Sequence, residues 1–271
     1  MSKIGKSLAF FILSFCLLFP FVLGSEDYSS FGIIGDTSIG KDETVFLKFL
    51  GHLKKLRVKT FFHTGDVIHN PGSEKEWDRF LELTKDQFEF HIAPGNHDIN
   101  SPRSLKIYKE KIKRPPYYSL ESGDTLFLLL CTEMPGEEGR IGPKQLHWLK
   151  EELKKDHPFK FVFLHRSLFP TIFGRSFCLD RFPKERDALH RTLVENRVLG
   201  VFSGHEHIYS RISKEGLTYV TTGGGGSELL VGLEEYGGFH HYTLAKKAED
   251  RYIFSVFDLN GQIKDQFMIK R

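Results

Sequence analysis

The stretch Phe88-Glu89-Phe90-His91-Ile92-Ala93-Pro94-Gly95-Asn96-His97-Asp98 joins a strand-like apolar run, Phe88 to Ala93, to a glycine turn carrying an amide, an imidazole and a carboxylate. Four other strand-like runs also end in polar groups, three of them through a glycine. Ser30–Ile34 leads into Gly35-Asp36, Val58–Phe62 into Gly65-Asp66, Phe159–Leu164 into His165, and Val198–Phe202 into Gly204-His205-Glu206-His207. In α/β folds, ligand sites gather beyond the carboxyl ends of strands, where loops carry polar groups without entering the core. The glycines let the backbone turn tightly as each polar group leaves its strand. These strand ends are therefore expected to deliver Asp36, Asp66, Asn96, His165, His205 and His207 to one rim.

Between these runs the spacing becomes helical. Apolar residues at 46, 49, 50 and 53 predict a helix over Glu43–Leu56, and Leu146, Leu149 and Leu153 form one stripe of a helix over Pro143–Lys155. Further helices are expected over Glu74–Leu83, Pro102–Lys113 and Lys184–Glu195. Strands are expected at Tyr117–Leu120, Thr125–Cys131, Leu217–Thr221 and His240–Leu244, then at Tyr252–Asp258 and Gln262–Ile269 around the turn Asn260-Gly261. Early β-α-β alternation and late antiparallel strands, with no internal repeat or low-complexity linker, indicate a single α/β domain over 25–271. Its expected architecture is two mixed β-sheets packed face to face and flanked by helices.

The 271 residues are 40% hydrophobic, 27% charged and 14% aromatic, which excludes a disordered chain and allows a substantial core. Lys3 and Lys6 precede a 16-residue apolar run, Leu8–Leu23, and polar Ser25-Glu26-Asp27 follows it. Residues 1–24 resemble a secretory signal peptide, with an uncleaved membrane anchor as the alternative. Phe15 is too bulky for the residue before a lipidated Cys16. The protein is thus expected to be exported, either periplasmic or secreted, or membrane-anchored by its N-terminus if that segment stays. Without the segment the chain carries 36 basic residues against 35 acidic ones, so charge implies no nucleic-acid partner. Cys131 and Cys178 alone make no disulfide framework, Cys131 ending an apolar run and Cys178 lying in a loop. No Asn-x-Ser/Thr acceptor occurs, which favours a bacterial envelope.

Carboxylates, a carboxamide and imidazoles together suit Mn, Fe or Zn, and are too rich in nitrogen for calcium. The order Gly-Asp, Gly-Asp, Gly-Asn-His-Asp, His, Gly-His-x-His resembles the calcineurin-like metallophosphoesterases, including the purple acid phosphatases, over Phe31 to Gly226. The resemblance implies an αββα sandwich and a hydrolase carrying two divalent or trivalent metal ions (Mn, Fe or Zn). Such an enzyme acts on small phosphate mono- or diesters through a metal-bridging hydroxide. Carried over by position, Asp66 resembles the carboxylate that bridges both metals. Asn96, His165 and His205 match the remaining ligands of one metal, and Asp36 and His207 ligands of the other. His97 resembles the substrate-facing histidine that contacts the phosphate and protonates the leaving oxygen, with Asp98 orienting its ring. The phosphate is expected against Asn96, His97 and Arg166.

One position departs from the family's commonest pattern. Many relatives have Asp-x-His in the first motif, where this chain has Asp36-Thr37-Ser38. In purple acid phosphatases that histidine is also missing, and a tyrosine three residues after the second motif's Asp binds instead; here His69 stands there. His69 is therefore expected to supply the missing ligand, the alternative being an exposed loop histidine beside a looser first metal site. Arg166, Arg175 and Arg181 border or occupy the stretch Ser167–Arg181, which resembles a substrate loop in position. Such arginines either grip a phosphate bidentately or stand solvated. His63 is expected to be a satisfied strand residue. Of the neighbours His240 and His241, at most one can face the site. Glu206 is expected to point away from the metals, the alternative being that it supports the ligands from behind. Other functional readings are a cyclic-nucleotide or nucleic-acid phosphodiesterase of the same superfamily, or a catalytically weak phosphate- or partner-binding module. The absence of a Lys/Arg run weighs against the nuclease.

Overall fold

Successive side chains of a strand face opposite ways, and in this chain both directions lead into apolar layers. Phe61 joins one cluster with Phe46, Phe49 and Trp77, while its neighbour Phe62 joins another with Phe127, Phe163 and Phe254. Phe161 and Phe163 belong to the second cluster, whereas the interleaved Val162 and Leu164 belong to a third. Strands covered on both faces read as continuous apolar runs, which is why their ends stand out in the sequence.

The computed structural model describes residues 28–172 and 177–271. The expected signal segment, Cys16 included, and Arg175 lie outside the described residues. The elements are β1 (Ser30–Ile34), α1 (Thr44–Leu56), β2 (Thr60–His63), α2 (Glu74–Thr84), β3 (Glu89–Ile92) and α3 (Pro102–Ile112). Next come β4 (Tyr118–Ser122), β5 (Thr125–Leu129), α4 (Pro143–Glu152), β6 (Phe159–Arg166) and α5 (Pro183–Glu195). The chain ends with β7 (Gly200–Gly204), β8 (Tyr209–Lys214), β9 (Leu217–Thr222), β10 (His241–Ala248), β11 (Arg251–Asp258) and β12 (Ile263–Lys270).

Two six-stranded sheets result, in the orders β12-β11-β10-β1-β2-β3 and β4-β5-β6-β7-β9-β8. In the first, β1, β2 and β3 run parallel and the C-terminal strands add antiparallel; in the second, β5, β6, β7 and β9 run parallel. The layer between the sheets is dense in aromatic rings. Phe62 stacks on Phe163 with centroids 4.4 Å apart and on Phe127 at 4.8 Å. Buried faces of α1, α2 and α3 cover the outside of the first sheet, and those of α4 and α5 the outside of the second. The expected αββα sandwich is the observed fold.

One strand escaped the sequence reading. Along β8 the residues from Arg211 to Lys214 are exposed, because the strand lies at the sheet's edge, and the single apolar residue among them, Ile212, leaves no alternation to detect. The hairpin to β9 turns at Glu215-Gly216, both with positive φ (51° and 80°), as a tight two-residue turn requires. Cys131 and Cys178 are buried and unpaired. No helix among the described residues is long and apolar enough to cross a membrane.

Candidate metal centre

Parallel β1, β2 and β3 of one sheet and parallel β6 and β7 of the other bring their carboxyl ends to a shared rim. There the ligand atoms of Asp66, His165 and His205 lie within 4.8 Å of one another, and so do those of Asp36, Asp66 and His207. Asp66 belongs to both groups. His165 Nε2 is 3.4 Å from Asp66 Oδ2, 3.1 Å from His205 Nδ1 and 3.2 Å from Asn96 Oδ1. His207 Nε2 is 3.4 Å from Asp36 Oδ1. Of the residues expected to hold metal, the structure therefore assembles Asp36, Asp66, Asn96, His165, His205 and His207.

The backbone is bent to achieve this. Asp36, Asp66 and His205 have φ of 59°, 54° and 68°, a left-handed conformation that costs a non-glycine residue on the order of 1 kcal/mol or more. Strain at three converging side chains is what a preorganised site stores. The glycines beside them make room. A Cβ on Gly95 would stand 2.3 Å from Asp66 Oδ1 and 2.5 Å from the Asp66 nitrogen, and one on Gly204 would stand 2.3 Å from Asp36 Oδ2.

Backbone carbonyls aim the rings. His165 Nδ1 donates to the Thr64 carbonyl (2.8 Å) and His207 Nδ1 to that of Glu228 (2.7 Å), which turns each Nε2 toward the carboxylates. Fixing the far nitrogen in this way is how proteins orient metal-binding imidazoles. Burial raises the Asp66 carboxyl, but the charge and hydrogen bond of His165, helped by His97, override it and hold the acid well below the usual range. Burial depresses His165, yet Asp66 and then Asp36 lift it to about 10. His205, by contrast, is held down to about 2 by burial and by the charges of His165 and Arg166. The charges of His165 and of the two buried carboxylates, Asp36 and Asp66, thus depend strongly on one another, and a metal ion would balance the carboxylates there. This donor set, one oxygen and two nitrogens in one group with the Asn96 oxygen beside it, and two oxygens and one nitrogen in the other, fits Mn, Fe or Zn.

Three expected roles need correction. Asp98 does not orient the His97 ring. Its carboxylate, fully buried, accepts from the Gly95, Val67 and Ile68 nitrogens at 2.9, 3.0 and 3.3 Å, and so pins the second and third motif loops together. Burial and then the charge of Asp66 push that carboxyl up to about 7. The His97 ring is set instead by its Nδ1, which donates to the His69 carbonyl at 2.5 Å. His69 itself lies in neither ligand group. The Ile39–Ile68 bridge fixes the loop, Glu76 Oε2 takes the His69 nitrogen at 2.9 Å, and the ring lies alongside that of His97, centroids 5.9 Å apart. Arg166 reaches the rim, Nη1 standing 3.5 Å from His205 Nε2, but its charge is committed. Glu133, 1% exposed, grips its Nε (2.6 Å) and Nη2 (3.0 Å), and Nη1 donates to the Phe177 carbonyl. Nothing in the spacing of Glu133 singled it out; only its place two residues beyond the buried run ending in Cys131 hinted at the site.

His63 is the expected satisfied residue. Fully buried, it donates from Nε2 to Thr37 Oγ1 (3.0 Å) and accepts from the Gly65 nitrogen (3.1 Å), and burial lowers it to about 3. His241 is buried against Thr222 Oγ1 (3.1 Å), while His240 meets the Gly224 carbonyl. The role of Asp98 yields a first expected outcome. Asp98→Ala strands three buried N–H donors and lowers stability by about 3 kcal/mol, measured by urea denaturation of the metal-free protein. A loss below about 1 kcal/mol would show the carboxylate is not the pin.

The calcineurin-like phosphoesterase family model matches residues 29–209. A probable cyclic nucleotide phosphodiesterase of Psychrobacter sp. (strain PRwf-1) is 23% identical over 213 residues, covering 74% of this chain and 60% of that protein. Purple acid phosphatase 23 of Arabidopsis thaliana is 27% identical over 172 residues, 56% of this chain and 37% of that protein. The chain thus spans less than two thirds of the curated relatives it matches. Among solved structures, a purple acid phosphatase from yellow lupin (Lupinus luteus) seeds superposes with a TM-score of 0.73 at 19% identity, over 89% of this chain and 53% of that one. The anchor in the inner membrane complex of Plasmodium superposes at 0.70 with 14% identity, over 89% and 88%. With its sandwich, its five ligand-bearing strand ends and a family match across two thirds of its length, this chain belongs to the calcineurin-like phosphoesterases.

Proposed function

We propose that the protein is a metal-dependent phosphoester hydrolase with a two-ion centre, acting on small phosphate mono- or diesters outside the cytoplasm. The observation that carries the reading is the sharing of Asp66 between two ligand groups, Asp66-His165-His205 and Asp36-Asp66-His207. When bound there, two such ions would neutralise a phosphate and make water acidic enough to attack it. The chain's own groups do the rest. Asn96 and His97 stand at the rim beside the shared carboxylate, His97 through its backbone nitrogen 2.8 Å from Asp66 Oδ1. Names of relatives that include phosphatases and a cyclic nucleotide phosphodiesterase support both monoester and diester substrates. Export rests on residues 1–24 as a signal segment.

The deciding experiment is purification without chelation, metal counting, and initial rates on a generic monoester and a generic diester with Mn²⁺, Fe²⁺ or Zn²⁺. Rates on at least one ester with about two ions per chain are expected. No rate with any of the three metals would move the protein to a binding role. Ligand binding to the folded state alone also stabilises it. Free metal at about a hundredfold its Kd should add about 2.7 kcal/mol, seen as a rise in Tm that a chelator reverses. An unchanged Tm would count against the centre.

A further inference from the structure

Glu206 sits between the ligands His205 and His207, yet its carboxylate turns to the opposite side and is 4% exposed. There Oε2 accepts from the Thr171 nitrogen at 3.0 Å and the Ser167 hydroxyl at 3.3 Å, and Oε1 accepts from the Ile172 nitrogen at 3.0 Å. All three donors belong to the segment that follows His165 and Arg166 at the end of β6. The carboxylate therefore ties the loop after one ligand-bearing strand to the turn after the next. That turn is the strained one, since His205 has φ 68°. Its main chain holds a tight course, with the Glu206 nitrogen 2.8 Å from the Gly204 carbonyl and the Ile208 nitrogen 2.6 Å from that of Glu206.

From this geometry we propose that Glu206 is a positioning residue that holds His205 and His207 in metal-binding register from behind. The inference rests on the two-ion reading above. His205 serves one ligand group and His207 the other, so a single anchor on the turn between them governs both. Without it the left-handed His205 backbone relaxes, and each imidazole must be reordered before it can bind. Partners behind the ligands typically contribute 10- to 100-fold in metal affinity. Burying a carboxylate is tolerable here because two backbone N–H groups and a hydroxyl satisfy it.

The test compares full-length wild type, Glu206→Gln and Glu206→Ala by Zn²⁺ and Mn²⁺ affinity in chelator competition, with hydrogen exchange at the Thr171 and Ile172 amides. For Glu206→Ala, affinity should fall 10- to 100-fold and both amides should exchange faster, while the rate at saturating metal stays within about threefold of wild type. Glu206→Gln keeps one acceptor oxygen and should fall between. It remains informative if the alanine variant fails to fold. Metal affinity unchanged in both variants, or lost amide protection with affinity intact, overturns the positioning role. A rate that stays depressed at saturating metal overturns it too, because the residue would then act on the chemistry. Wild type that binds no metal would instead sink the two-ion reading, whatever the variants do.

Discussion

Asp66→Asn should cost at least about 10³-fold in turnover and leave the protein short of both metals rather than one. Asp66 is common to the two ligand groups, and its Oδ1 and Oδ2 are both engaged, by the His97 nitrogen at 2.8 Å and by His165 at 3.4 Å. A unit charge about 4 Å from a cation, at the effective dielectric of a protein site, is worth about 4 kcal/mol, or roughly three decades in affinity. Asparagine removes that charge from two ions at once. It also fits the site sterically, since Asn tolerates the left-handed conformation that Asp66 adopts at φ 54°. The variant should therefore fold, and circular dichroism will confirm that loss of metal is not loss of structure. Asp36→Asn is the control, because Asp36 serves one group only. It should retain close to one ion per chain. Equal metal content in Asp66→Asn, Asp36→Asn and wild type would refute the shared-carboxylate arrangement.

That Asp66 rather than Asp36 is shared came from the family resemblance, but the places of the ligands themselves were legible in the sequence, and the reason is physical. Asp36, Asp66, Asn96, His205 and His207 follow largely buried strands, and His165 stands near the end of one, β6. The apolar run and the glycine turn after it mark both the element and the place where a polar side chain leaves it. Helical spacing of apolar residues placed α1 and α4, with α1 beginning one residue later than expected and α4 ending three residues earlier, and the other three α-helices among the described residues also fall where they were expected. What spacing does not encode is direction. Asp98 adjoins His97 in the chain, but its carboxylate turns inward to three backbone nitrogens, a choice made by the loop of Asp66 packing over it. His69 has the right offset from Asp66, yet Glu76 from α2 captures its main chain and the ring ends beside His97. Glu133 and Arg166 are 33 residues apart and meet only because β5 and β6 are neighbours. Residues recruited through tertiary contacts leave no local pattern, whereas residues at strand ends do.

His97→Ala should keep its metal and lose about 10²- to 10⁴-fold in kcat on an ester with a poor leaving group, the range of general-acid help, and less where the leaving group is good. The contact between His97 and the shared carboxylate is made by the backbone nitrogen, which alanine retains, so the ligand groups stay intact. The ring is another matter. Nδ1 is held as a donor to the His69 carbonyl, and Nε2 makes no hydrogen bond among the described residues. Nε2 is thus the one ring nitrogen able to pass a proton to a departing oxygen. An aryl phosphate with an acidic phenol leaves with little help, while an alkyl phosphate expels a strongly basic alkoxide. The variant should therefore lose about 10-fold on the aryl ester and the larger factors on the alkyl one. A steric or electrostatic role for the ring would slow both substrates alike. Equal losses across the leaving-group series, or a drop in metal content, would remove His97 from proton transfer and leave it a residue that merely contacts the phosphate.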